Sequence, residues 1–300
     1  MAAAPSPAPT SKWHDRTYES LSPTRPELSA GGKSVLVTGG GTGIGAETAR
    51  TFAAAGASRI ALLGRREQPL LDTKAAIERE FPGVEVLAAP TDVTDKGEVD
   101  AAFARFLDGR GPLHVAISNA AMTGPWEGVR DVDPDRLVDM VGQNLRGALN
   151  VAQAFLRYAA RDAVVVNVSS SAAHLDYGDG FAAYSTAKMA VVRLWDSLAS
   201  ANPHLSVYHI QPGVVDTDMK REVGGIKAVG REDHVSLPAT FMLWLASPEA
   251  RFLKGKFLWA NWDVDELKTR REELESSTLL KLSLGGWPFG HENWKPHWDN

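Results

Sequence analysis

The chain of 300 residues contains no cysteine. That absence excludes disulfide bonds, thiolate nucleophiles and cysteine-ligated zinc together, and it accords with a reducing compartment. Long apolar runs are also missing, since no stretch approaches the roughly 18–20 apolar residues needed to span a bilayer. Histidine is scarce: the eight at positions 14, 114, 174, 204, 209, 234, 291 and 297 form neither an H-x-x-x-H pair nor an H-E-x-x-H helix. No metal site is expected from them. Excess positive charge is lacking as well; a net charge of −5 argues against nucleic acid as a partner. The opening stretch MAAAPSPAPTSKWHDR has neither a basic region nor an apolar core, so it does not read as a secretory signal. A soluble, cytoplasmic protein with no membrane partner is expected.

What is present is ordinary in amount and regular in order. Residues 1–30 carry proline at 5, 7, 9, 23 and 26 and read as a flexible or loosely draped extension. From Lys33 onward short β-rich runs alternate with longer helical patterns, the signature of βαβ units. Strands are expected at 33–38, 59–63, 84–88, 113–118, 163–168, 205–210 and 256–260. Helices are expected at about 43–55, 67–80, 95–107, 134–160, 181–201 and 238–246. The strands are nearly continuous apolar runs, as required when helices cover both faces of a parallel sheet. A catalytic domain over 31–263 is followed by an extension at 264–300, with a charged helical stretch and then a tail holding three of the nine tryptophans.

The segment VTGGGTGIGAETAR, residues 37–50, places five glycines within seven residues at the first strand-to-helix junction. A tight turn alone needs one or two. In a doubly wound sheet that junction faces a helix N-terminus, whose unpaired N–H groups and dipole attract anions, and glycine lets a pyrophosphate reach the backbone. The turn is not a P-loop, because no Lys-Ser/Thr pair follows the last glycine. Its spacing, Thr38-Gly39-x-x-x-Gly43-Ile44-Gly45, resembles the cofactor turn of the short-chain dehydrogenase/reductase superfamily, with Thr42 inside it.

Further motifs of that family stand in order. Arg65 and Arg66 follow the second strand, where an acidic residue would hold the ribose hydroxyl of NAD and arginine accommodates the extra phosphate of NADP. NADP(H) is therefore the expected cofactor. Asp92-Val93 after the third strand matches the adenine-contacting pair, and Asn119-Ala120 within SNAA matches the family's NNAG. Pro212-Gly213-Val214-Val215-Asp216-Thr217 matches the PGxVxT element that holds the nicotinamide carboxamide, through Pro212, Gly213, Val215 and Thr217.

Tyr184 and Lys188, four apart in AAYSTAKMA, share one helix face. A nearby ammonium lowers a phenol's pKa from its ordinary value near 10, so the phenol can exchange a proton with a substrate oxygen. Tyr-x-x-x-Lys by itself is commonplace on helices; its weight comes from NVSSS, residues 167–171, at the carboxyl edge of the fifth strand. A hydroxyl there can donate to an oxygen that gains charge during hydride attack. The resemblance assigns this role to Ser170, the second of the Ser-Ser pair; counting back thirteen from Tyr184 gives Ser171, which stays open. Asn144 in GQNLRGAL matches the family's N-x-x-G, implying a distorted helix and a water anchored toward Lys188.

The resemblance covers about Lys33 to Trp262. It implies an α/β fold with a doubly wound, seven-stranded parallel sheet of order 3-2-1-4-5-6-7 and a homodimer or homotetramer built on the helices at 134–160 and 181–201. It also implies hydride transfer at nicotinamide C4 to or from a moderately apolar ketone or secondary alcohol, with Tyr184 as acid/base and Lys188 with Asn144 as proton relay. An isomerase, dehydratase or cyclase with NADP as bystander is the alternative, as is a non-catalytic cofactor-binding protein. The loop at 172–180, with His174 beside the site, a glycine-rich flap at 218–236 and the tail are expected to shape the substrate pocket.

Overall fold

Strand β1 (Ser34–Thr38) is buried along its whole length, because the sheet it belongs to is covered on both faces. The computed structural model describes residues 8–217, 221 and 231–284. Within them β1 is followed by α1 (Gly43–Ala54), β2 (Arg59–Gly64), α2 (Glu67–Glu80), β3 (Glu85–Pro90), α3 (Lys96–Leu107), β4 (Leu113–Ser118) and α4 (Pro134–Tyr158). Then come β5 (Ala159–Val168), α5 (Ala182–Ala201), β6 (Ser206–Gln211), α6 (Ser236–Leu245), β7 (Phe257–Trp259), α7 (Val264–Thr269) and α8 (Arg271–Ser276). The seven strands lie in the order β3-β2-β1-β4-β5-β6-β7, and every neighbouring pair is parallel. This is the expected doubly wound sheet.

Pleat alternation divides the core in two. Val35, Val37, Ile60 and Ile117 face a layer completed by Phe52 of α1, Ile77 of α2 and Phe241 of α6. Leu36, Ala61, Ala116 and Val165 face the opposite layer, completed by Phe103 of α3, Phe155 of α4 and Trp195 of α5. The order reverses at β1 and β4, which stand side by side and pair Val35 with Val115 and Val37 with Ile117. A crevice opens there at the carboxyl ends.

Two expectations are corrected. Residues 159–162 were expected at the end of a helix or in the turn beyond it. They extend β5 instead, and Ala159 pairs with Leu113. The N-terminal extension is not flexible from residue 8 on. It is a strap, and α6 explains why. The sequence SLPATFMLWL is apolar all round, and residues 237–245 are all buried, so the helix needs cover on both sides. The sheet covers one side; Leu21 and Leu28 of the strap, 0% and 1% exposed, join the same core cluster. Polar contacts fasten the strap to the start of α7. Ser11 N–H donates to the Glu266 carboxylate at 2.5 Å, His14 pairs with Asp263 at 2.8 Å, and Val264 N–H donates to the Tyr18 hydroxyl at 2.8 Å. Arg25 bonds Glu249 at 2.7 Å. The flap at 218–236 lies mostly, and the tail from 285 wholly, outside the described residues.

Leu21→Ala, which empties a sealed site, is expected to destabilise the chain by about 2–5 kcal/mol in urea denaturation. A loss well under 1 kcal/mol would show that the strap is not part of the folded core.

Candidate active site

The glycine turn is built by steric necessity at two positions. Gly39 has φ +68°, and a Cβ there would sit 2.7 Å from Asn119 Nδ2. A Cβ on Gly45 would lie 2.1 Å from the Gly39 carbonyl oxygen, so the first turn of α1 can close on β1 only without one. Thr42 takes the N-cap position in extended geometry, and its side chain makes no capping bond. The first N–H groups of α1 are thus open to an anion. The ends of β1 and β4 are stapled together: Asn119 Nδ2 donates to Thr38 O at 2.9 Å, while Thr38 Oγ1 accepts from Asn119 N and Ala120 N at 2.9 and 3.0 Å. Ala121, where the family has glycine, is at ease, because Leu280 is the only non-glycine residue with positive φ among the described residues.

From this turn a cleft of about 610 Å³ runs along the carboxyl edge of the sheet. Gly39, Thr42, Gly43 and Ile44 line it, with Arg65 and Arg66 beyond β2. Asp92 and Val93 follow beyond β3; hydrogen bonds from Thr94 N and Oγ1, 2.9 and 2.8 Å, hold the Asp92 carboxyl below its ordinary range. Helix α4 supports that corner, since Asn150 donates to the Val93 carbonyl at 2.9 Å and a Cβ on Gly147 would meet Val93 Cγ2 at 2.8 Å. Asn119, Ala120, Asn144, Tyr184, Lys188, Pro212 and Thr217 line the remainder. Thr38, Gly45, Gly213 and Val215 stand behind the wall rather than on it.

The chemical groups gather at the far end. Tyr184 and Lys188 lie one turn apart on α5, with the Lys188 ammonium 5.6 Å from the phenol ring centre. Lys188 is buried, and its Nζ donates to the Val168 carbonyl at 3.0 Å. The Ser170 hydroxyl lies near enough to the Tyr184 phenol to lower its pKa, and it accepts from Ala172 N at 3.2 Å. Ser171 is turned away: its N–H donates to Gln211 at 2.8 Å and its hydroxyl pairs with Tyr177 at 2.6 Å. The Ser171 groups are thus committed to Gln211 and Tyr177. The Asn144 side chain is occupied, accepting from Met122 N at 3.0 Å and donating to Met122 O at 3.3 Å and Met140 O at 3.0 Å. It clamps the loop after β4, and α4 runs through it unbroken.

The expected acidification of the phenol is not the balance found. Burial pushes Tyr184 up to about 12, against the nearby Ser170 hydroxyl that lowers it, and burial brings Lys188 down from 10.5 to about 8. Both groups lose solvation, and the ammonium spends its bond on a carbonyl rather than on the phenol. The phenol is protonated at neutral pH.

The family profile described as "short chain dehydrogenase" matches residues 33–225. A short chain dehydrogenase/reductase of Claviceps purpurea is 33% identical over 272 residues, 89% of this chain and 91% of its own. The short chain dehydrogenase/reductase AacuD of Aspergillus aculeatus is 33% identical over 280 residues, 92% and 96% of the two chains. The chain belongs to the short-chain dehydrogenase/reductase superfamily. Solved structures of the family agree. A short chain dehydrogenase from Burkholderia cenocepacia, in complex with NADP, superposes with a TM-score of 0.69 at 26% identity, covering 78% of this chain and 97% of that one. A short-chain type dehydrogenase/reductase from Mycobacterium ulcerans gives 0.71 at 26% identity, covering 77% and 89%. The chain is thus of an oxidoreductase family that uses a nicotinamide cofactor. No helix among the described residues is long and apolar enough to cross a membrane.

The residues present fit a pyridine dinucleotide. A Cβ on Gly43, which lines the cleft, would come within 3.1 Å of Thr217 on the facing wall, and the buried Ser169 hydroxyl, on the cleft wall, has no partner among the described residues. Sequence reasoning missed Asp233. It is buried, accepts from Val214 N at 2.6 Å and from Asn261 Nδ2 at 3.0 Å, and so ties the loop after β6 to the strap, where Asn261 also bonds the His14 carbonyl at 2.8 Å. No local motif marks it, because its partners are far along the chain. It also missed Trp126 beside Tyr184, in a loop with no pattern of its own.

A depressed lysine binds fewer protons folded than unfolded between pH about 8 and 10.5, so the chain gains stability as pH rises through that window. Relative to Lys188→Met, the wild type is expected to gain up to about 3 kcal/mol across it in urea titrations. A pH-independent difference would show that Lys188 titrates normally.

Proposed function

We propose that the chain is an NADP(H)-dependent oxidoreductase that moves a hydride between nicotinamide and a ketone or secondary alcohol. The observation that carries this reading is Tyr184 with the Lys188 ammonium 5.6 Å from its ring and Ser170 beside it, at one end of a cleft whose other end holds Arg65 and Arg66. Gly39, Thr42, Gly43 and Ile44 would cradle the pyrophosphate, the two arginines the 2′-phosphate, Asp92 and Val93 the adenine, and Pro212 and Thr217 the carboxamide. When bound, the cofactor supplies or takes the hydride at C4.

The protein's own share is proton handling and charge stabilisation. Tyr184, protonated at neutral pH, donates its proton to the carbonyl oxygen as that oxygen gains charge. Ser170 donates a second hydrogen bond to the same oxygen, in a site where few waters compete. Lys188, still largely an ammonium at pH 7, stabilises the phenolate left behind and so makes the donation less costly. Asn144 contributes through the Met122 loop it clamps.

Assembly as a homodimer or homotetramer through α4 and α5 fits the surface. Val138, Leu149 and Leu156 are 67%, 40% and 44% exposed and lie on one face of α4, at intervals of eleven and seven residues; Met189 of α5 is 53% exposed.

Tyr184→Phe is expected to lower carbonyl-dependent NADPH oxidation by about 10²- to 10⁴-fold while NADPH still binds. Unchanged turnover would remove the phenol from the mechanism. Each arginine–phosphate bond is worth about 1.5–3 kcal/mol, so Arg65→Ala with Arg66→Ala is expected to weaken NADPH binding at least tenfold and leave NADH binding alone. A wild type that binds NADH more tightly than NADPH would refute the cofactor assignment.

A further inference from the structure

Four aromatic rings form a continuous wall that ends on the phenol of Tyr184. The Trp126 indole lies 5.8 Å from the Tyr184 ring, Phe181 meets Trp126 edge-on at 5.4 Å, and Tyr177 stacks on Phe181 at 4.8 Å. Two loops supply these rings, and both are held in place. Val129 N–H donates to Asp179 at 3.3 Å, and a Cβ on Gly128 would lie 2.2 Å from that carboxylate. Gly180, with φ +94°, brings its backbone so near that a Cβ would sit 2.6 Å from the Trp126 carbonyl. The Tyr177 hydroxyl is fixed by Ser171 at 2.6 Å. The wall is therefore a built surface rather than a set of loose side chains.

Beside it lies an open depression of about 610 Å³, lined by Met122, Pro125, Trp126 and Met140 and by the charged Glu127, Arg136 and Asp139. It shares Met122, Thr123 and Gln143 with the dinucleotide cleft, so the two spaces adjoin. Flat rings recognise flat rings through offset or edge-on contacts that a saturated ring cannot make, and thioethers favour aromatic neighbours. An aliphatic substrate would be served equally well by branched aliphatic walls, and among the described residues none lines the depression beside Trp126.

We propose that the substrate class is the aryl ketone, or the matching benzylic alcohol, with Trp126 as the specificity-determining residue. This rests on the oxidoreductase reading above. The test compares 1-tetralol with 1-decalol, secondary alcohols on one carbon skeleton that differ in the aromatic ring. Each is titrated calorimetrically into the full chain saturated with NADPH, a combination that does not turn over. Tetralol is expected to bind about three- to tenfold more tightly than decalol. Trp126→Leu is expected to bring the ratio close to one, and Trp126→Phe to keep most of it, with thermal unfolding followed to confirm that both variants fold. Equal affinities in the wild type, or a preference that survives in Trp126→Leu, would overturn the assignment. So would binding of NADPH with no binding of either alcohol, which leaves the oxidoreductase reading standing. A chain that binds no pyridine nucleotide removes both.

Discussion

Helix α1 reaches the end of β1 because position 45 carries no side chain, and a single methyl group there would drive into the Gly39 carbonyl. That close approach sets the first turn of the helix, with its open N–H groups, at the crevice where the strand order reverses. It also brings Gly39 against Asn119, so β1 and β4 are stapled by Asn119 and the Thr38 hydroxyl at the same level. The dinucleotide end of the cleft is a consequence of this one contact. Arg65, Arg66 and Asp92 reach it because β2 and β3 stack beside β1 in register, each carrying its own strand-end loop to the same edge.

The opposite end depends on burial. Tyr184 and Lys188 are placed by four residues of helix, but their protonation is set by what surrounds them. Desolvation favours the neutral form of each, raising the phenol and lowering the ammonium. No carboxylate is among the causes acting on either group, so neither is locked into an ion pair. The result is a phenol that holds its proton at neutral pH and a lysine still largely charged there, an arrangement suited to giving a proton away and recovering it.

Parts distant from the chemistry hold the site in shape. The strap covers α6, which would otherwise present an apolar face to water, and through His14 and Asn261 it reaches Asp233 and the loop after β6. Buried polar groups of this kind must be fully paired to be tolerated. The network therefore couples the seating of the strap to the position of Pro212 and Thr217. On the other side, α4 uses Asn144, Gly147 and Asn150 to hold the loops after β4 and β3.

Much of this was legible in the order of residues. Continuous apolar runs alternating with helical periods dictate a parallel sheet with both faces covered, and the glycine turn, the Tyr–Lys spacing and the strand-end serines are local patterns that survive without knowledge of the fold. Strand limits were less legible, since residues 159–162 take extended geometry through pairing at Leu113, a partner 46 positions earlier. The strap was misread because its prolines exclude regular structure but say nothing of Leu21 and Leu28 finding a cover-seeking helix more than two hundred residues away. Ser170 and Ser171 are chemically alike and adjacent; only the packing of Tyr177 and Gln211 takes up the groups of Ser171 and leaves Ser170 on the Tyr184 side. The sequence by itself determined the alternation of strands and helices, the glycine turn and the Tyr–Lys spacing, because each rests on short-range order. The tertiary structure decided the burial of Tyr184 and Lys188, the contacts that take up Ser171 and the aromatic wall, because these depend on segments that the chain order keeps apart.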